Sequence, residues 1–180
     1  MRKNWKEIPG CFNDPDESTL IQKLADGKIV VEVGTFRGRS LACIAEKATI
    51  VYSVDTFKSH DNGQSQMQFY TTLKETQENL RGYDNVVFLP GESDDIAPTF
   101  PNESVDMVFI DGFHYYEYVM KDIIFWYPKI KNGGVFAFHD NNYPCVSEAC
   151  IKIFSKIEGM GGSVIYSIKT GDEIKTAGKY

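Results

Sequence analysis

Four hydrophobic runs, each carrying an acidic side chain at or near its end, constrain this chain more than any other feature. They are Val30-Val31-Glu32-Val33-Gly34, Val51-Tyr52-Ser53-Val54-Asp55, Met107-Val108-Phe109-Ile110-Asp111 and Val135-Phe136-Ala137-Phe138-His139-Asp140. Runs of that length, bounded by turn residues, read as strands buried on both faces. Between them apolar residues recur at helical spacing, as in Val119, Ile123, Trp126 and Ile130, or Val146, Cys150, Ile153 and Ile157. Asn132-Gly133-Gly134 reads as a helix stop. Alternating strands and helices predict a doubly wound α/β sheet, mostly parallel. A C-terminal antiparallel hairpin, 163–169 with 173–177 around Thr170-Gly171-Asp172, would make the sheet mixed. In such a sheet the carboxyl ends of the strands line one crevice, where ligands bind. The strand-end acids are therefore expected at one site.

The 180 residues suit one domain. Its core is expected over about 17–157, with 1–16 as an N-terminal lid or arm and 163–177 as the closing hairpin. A net charge of −6 without a Lys/Arg block argues against nucleic acid as partner. No apolar run is long enough to span a bilayer, and the N-terminus lacks the apolar stretch of a secretory signal. Cys11, Cys43, Cys145 and Cys150 have no metal-type or disulfide-framework spacing. Reduced thiols in a cytoplasmic protein are expected, with Cys43 and Cys150 in the core.

The first strand runs into Glu32-Val33-Gly34-Thr35-Phe36-Arg37-Gly38-Arg39-Ser40. Gly34 permits a tight turn and a close ligand approach, and Gly38 lets a helix begin near that ligand. A helix N-terminus favours an anion, whereas Glu32 favours a cation. One ligand end carrying both charges is an amino acid zwitterion, which suits the methionine part of S-adenosylmethionine better than a pyrophosphate. Asp55, closing the second strand, fits a ribose diol.

The chain resembles the class I S-adenosylmethionine-dependent methyltransferases. It is most similar to the compact group that includes macrocin-type sugar O-methyltransferases and, more distantly, catechol-type enzymes. The resemblance rests on V-E-V-G-T-F-R-G-R-S (31–40), S-V-D-T-F (53–57), V-D-M-V-F-I-D-G-F-H-Y-Y-E (105–117) and N-G-G-V-F-A-F-H-D (132–140). It implies a Rossmann-like fold in which Glu32, Gly34 and Ser40, with Thr35, Phe36 and Gly38 of the same loop, hold the methionine end. Asp55 would hold the ribose, with Thr56 and Phe57 beside the adenosine. Gly91-Glu92-Ser93 would approach the adenine; many relatives carry Asp where Glu92 stands.

The family's strand order places the fourth and fifth strands side by side, so Asp111 would face Asp140-Asn141 across one gap. Two carboxylates and an amide oxygen suit Mg²⁺ or another divalent cation, and metal-dependent relatives use such a set to favour the acceptor alkoxide. The bland alternative is a helix cap at Asp111 and a turn at Asp140-Asn141. His114 stands where catechol-type enzymes carry a lysine base, and Asp111 and His114 are the candidate catalytic residues. Strand alternation points His139 away from the side of Asp140, toward the core or behind the site. His60 lies in a polar loop that could reach a substrate. Trp5, Phe12, Phe57, Phe113, Tyr116 and Tyr143 are candidate walls, though core packing is the commoner role for any one such aromatic. The expected activity is O-methylation of a small hydroxylated acceptor, a sugar or a phenol. The rivals are a binding module or another metal-assisted chemistry on the same fold, and a nicotinamide-dependent oxidoreductase. Oligomeric state is not legible.

Overall fold

Seven strands form one sheet in the order β3-β2-β1-β4-β5-β7-β6 in the computed structural model, which describes residues 2–58, 71–154 and 156–171. The strands are β1 (Ile29–Val33), β2 (Ile50–Asp55), β3 (Val86–Pro90), β4 (Val105–Ile110), β5 (Ile130–Phe138), β6 (Gly159–Gly161) and β7 (Val164–Ile168). The first five run parallel, and β7 is antiparallel to both β5 and β6. The helices are α1 (Pro15–Ala25), α2 (Arg39–Ala45), α3 (Leu73–Asn79), α4 (Ser93–Ile96), α5 (Tyr116–Trp126) and α6 (Pro144–Ile153). The strand order reverses between β1 and β4, so the switch point lies at the strand ends carrying Glu32 and Asp111.

Period-two alternation divides the core into two layers. Val30, Val51, Met107, Phe109, Val135 and Ala137 pack beneath α1 and α2 on one face. Val31, Val54, Val108, Ile110, Phe136 and Phe138 meet Val119, Ile123, Trp126, Val146 and Cys150 on the other. Cys43 and Cys150 are buried free thiols, as expected, and burial pushes each up to about 12.

Two expectations are corrected. Residues 2–14 are not a lid: Trp5, Ile8 and Phe12 are buried in the α1–α2 layer. Arg39 fixes them there, its Nε donating to Phe12 O at 2.7 Å and an Nη donating to Ile8 O at 2.9 Å. Asn132-Gly133-Gly134 does not stop a helix but lies within β5. Gly133 N donates to Lys169 O and Lys169 N donates to Gly134 O, so this stretch pairs with the chain just after β7. Val105 faces Ile130 while Met107 faces Val135, which makes the stretch a bulge of β5 against β4. β7 also pairs antiparallel with β6; the expected hairpin partner 173–177 and His60 lie outside the described residues.

Candidate active site

The β1–α2 loop brings Glu32 under the switch point. Gly34 has φ +86°, and a Cβ there would lie 2.4 Å from the carbonyl oxygen of Asp111, so only glycine lets β1 and β4 close at their ends. Gly38, also at φ +86°, starts α2, and a Cβ would lie 2.3 Å from Leu80. The loop is held from behind by α3: Thr76 Oγ1 donates to Phe36 O and Asn79 Nδ2 donates to Arg37 O. Glu32 is fully buried, and among the described residues neither carboxylate oxygen has a hydrogen-bond partner of good geometry. Burial holds its carboxyl well above the usual value, and the charges of Asp111 and Asp55 push the same way. The Ser40 and Thr35 hydroxyls offset this only in part.

Asp55 braces the loop. Its Oδ2 accepts from Thr35 N at 2.7 Å and Phe36 N at 3.0 Å, and its Oδ1 accepts from Phe57 N at 2.7 Å. A carboxylate offers about four acceptor positions, so Oδ1 keeps room for a hydroxyl. Phe36 and Phe57, on either side, have positive φ (49° and 50°), a conformation rare for such residues outside functional sites. On the far side of the sheet, Ser93 is occupied: its Oγ accepts from Trp126 Nε1 at 2.8 Å and bonds the carboxylate of Asp122. Glu92 precedes α4 without a side-chain cap bond.

The second pair of acids meets as anticipated, with a different partner. Asp111 Oδ1 lies 2.9 Å and Asp140 Oδ2 lies 3.0 Å from Nδ1 of His139. His139 was expected in the core or behind the site, and it is buried there, but its Nδ1 also meets both acids. His139 keeps the face that alternation assigns, beside Phe12 and Phe109, and it is Asp140, at φ 56° beyond the end of β5, that turns back toward it. The Nε2 of His139 lies 3.4 Å from Oε2 of Glu17 on α1. Glu17 is itself buried, its Oε1 accepting from Ser163 N at 2.9 Å and Ser163 Oγ at 2.5 Å. Burial works against the charged imidazole of His139, but Asp111 and Asp140 outweigh it and push the group up to about 11. His114 Nε2 lies 2.8 Å from Asp140 Oδ2, with its ring stacked on Tyr143. Despite burial, the two histidines hold the Asp140 carboxyl well below the usual carboxylate range.

One ligand atom from each of Asp111, His139 and Asp140 lies within 4.8 Å of the others. Two hard oxygens and an imidazole nitrogen form a donor set that fits a divalent cation. Asn141, expected as the third ligand, turns its Nδ2 to Ser163 O at 2.9 Å. Of the candidate walls, Trp5 and Phe12 are core, Phe57 is buried, Phe113 and Tyr116 are half-buried, and Tyr143 is exposed. No local pattern marks Glu17 or Ser163. Both are ordinary polar residues near turns and come together only through the sheet.

This fold and this loop are those of a Rossmann-like methyltransferase. The chain belongs to the Methyltransferase domain family, whose profile matches residues 31–141. An uncharacterized protein of Acanthamoeba polyphaga mimivirus is 32% identical over 147 residues, covering 74% of this chain and 62% of that protein. Another uncharacterized protein, y4gI of Sinorhizobium fredii, is 29% identical over 120 residues, which is 62% of this chain but 13% of its own length. The chain thus spans less than two thirds of either curated relative. Among solved structures, the O-methyltransferase NovP superposes with a TM-score of 0.70 at 20% identity, covering 86% of this chain and 80% of NovP. The calicheamicin methyltransferase CalS11 gives a TM-score of 0.61 at 16% identity, covering 86% and 77%. At these identities the likeness is one of fold.

Proposed function

We propose that this chain transfers a methyl group from S-adenosylmethionine to a hydroxyl oxygen of a small acceptor, with a divalent cation held by Asp111 and Asp140. The observation that carries this reading is Glu32: a fully buried carboxylate that no cation among the described residues pairs, beside a glycine-lined helix start. A buried charge without a partner is costly, and the ammonium end of a methionine moiety supplies the missing cation. The first turn of α2, opened by Gly38, then faces the methionine carboxylate, and Oδ1 of Asp55 takes a ribose hydroxyl.

When bound, the cation would lower the pKa of an acceptor hydroxyl. This chain's own residues align and move the proton. His114 keeps Nε2 toward Asp140, leaving Nδ1 to take the acceptor proton, and Tyr143 steadies the ring by stacking. The O–CH₃ bond forms as the S–CH₃ bond breaks, and the sulfonium leaves as a neutral thioether. The protein's contribution is alignment and charge stabilisation.

S-adenosylhomocysteine at a hundred times its Kd stabilises such a fold by about 2.7 kcal/mol. Tm should then rise by roughly 5–10 °C, whereas NAD should leave it unchanged. Folded protein that does not respond to S-adenosylhomocysteine contradicts this reading. A shift with NAD instead favours the oxidoreductase alternative.

A further inference from the structure

We propose that His139 is itself a ligand of the cation, through Nδ1 and with Glu17 behind it, and that the resulting site prefers a first-row transition ion such as Mn²⁺ to Mg²⁺. This rests on the reading of Asp111 and Asp140 as metal ligands above.

Four observations carry it. His139 is only 8% exposed, and neither ring nitrogen makes an aligned hydrogen bond among the described residues. Its Nδ1 sits 2.9 and 3.0 Å from one oxygen of each flanking carboxylate. Neighbouring ligands on a six-coordinate ion with bonds of about 2.1 Å are separated by about 3.0 Å, so this spacing is that of a ligand edge. The opposite nitrogen, Nε2, faces Oε2 of Glu17 at 3.4 Å. A metal-binding histidine commonly turns its second N–H to a carboxylate, which fixes the ring and strengthens it as a donor. Glu17 is suited to that task because Ser163 anchors its other oxygen through both N and Oγ. The rings of Phe12 and Phe109, at 5.5 and 6.2 Å, flank the imidazole and leave it little freedom to turn.

The consequence concerns selectivity. Mg²⁺ is served by carboxylate, carbonyl and water oxygens, and an imidazole nitrogen shifts a site toward transition metals. Glu17 touches neither acceptor nor cation, so it is a positioning residue acting through His139.

The test uses the whole protein, stripped of metal by chelation and titrated with Mn²⁺ under electron paramagnetic resonance. Bound Mn²⁺ should show ¹⁴N coupling from a directly ligated imidazole in the pulsed experiment. His139→Asp should abolish that coupling and reduce the preference for Mn²⁺ over Mg²⁺. Glu17→Gln should keep the coupling while weakening Mn²⁺ affinity by about 10–100-fold. The wild-type spectrum decides the ligand assignment even if a variant fails to fold. Bound Mn²⁺ without nitrogen coupling means an all-oxygen site and overturns the inference. No Mn²⁺ binding at all means that His139 serves only as an internal counter-charge, and overturns it too. The response of the same preparation to S-adenosylhomocysteine then tells whether the methyl-transfer reading survives on its own.

Discussion

Glu32 works against the fold that holds it. In the unfolded chain its carboxyl titrates near 4.5; in the fold, burial raises that value. A raised carboxyl favours folding only while protonated, so the penalty grows as pH rises above 4.5. Glu32→Gln should therefore stabilise the ligand-free protein at pH 7.5 by about 0.5–2 kcal/mol, with little gain at pH 4, as read by urea unfolding at both values. The same variant should lose most of its response to S-adenosylhomocysteine. A Gln variant that binds as well as wild type would remove Glu32 from the cofactor site. The sequence already marked Glu32, because an acid inside a hydrophobic run breaks its own pattern. It hid the contact of His139 with Asp140, because the left-handed backbone of Asp140 (φ 56°) turns that carboxylate back toward the ring, and an aspartate in a turn gives no local sign of that.

At the level of elements, the site depends on two close fits. Gly34→Ala forces a Cβ to 2.4 Å from the Asp111 carbonyl at φ +86°. The ends of β1 and β4 must separate or the loop must move, at a cost of about 3 kcal/mol or more, since backbone strain adds to the clash; a thermal melt should record it. Arg39→Ala removes two charge-assisted bonds to the carbonyls of Ile8 and Phe12. A loss of about 2–4 kcal/mol is expected, with faster proteolysis within residues 2–14 than in wild type. Equal proteolysis rates would show that the buried aromatics alone hold the segment. The central strands were legible because each is a local hydrophobic run. The early start of β5 was not, since Asn132-Gly133-Gly134 is equally good chemistry for a helix end and for a bulge. Nor was the docking of Trp5, Ile8 and Phe12: loop-like sequence around them concealed that their partners lie under α1 and α2.

For the molecule as a whole, opposed titrations set the pH of greatest stability. Asp122 is 7% exposed, and burial raises its carboxyl from 3.8 to about 6. Its contribution is present below 3.8 and lost as pH rises through about 6, an effect on the order of 3 kcal/mol for a shift of roughly two units. Asp140, held low by its histidines, contributes above 3.8 and is lost as pH falls. Ligand-free protein should thus be most stable on the mildly acidic side of neutrality, and Asp122→Asn should flatten the decline toward pH 7 in a series of melts. The Ser163–Glu17 bonds join positions 146 residues apart, and Asn141 donates from both its backbone and its side chain to Ser163 O. Helix α1 leaves the ribosome early, whereas Ser163 follows almost the whole sheet. During synthesis, then, the chain can assemble its central strands first, but the support behind His139 is completed only when this late turn arrives. A nascent chain released before that point would carry the acids of the site without their alignment.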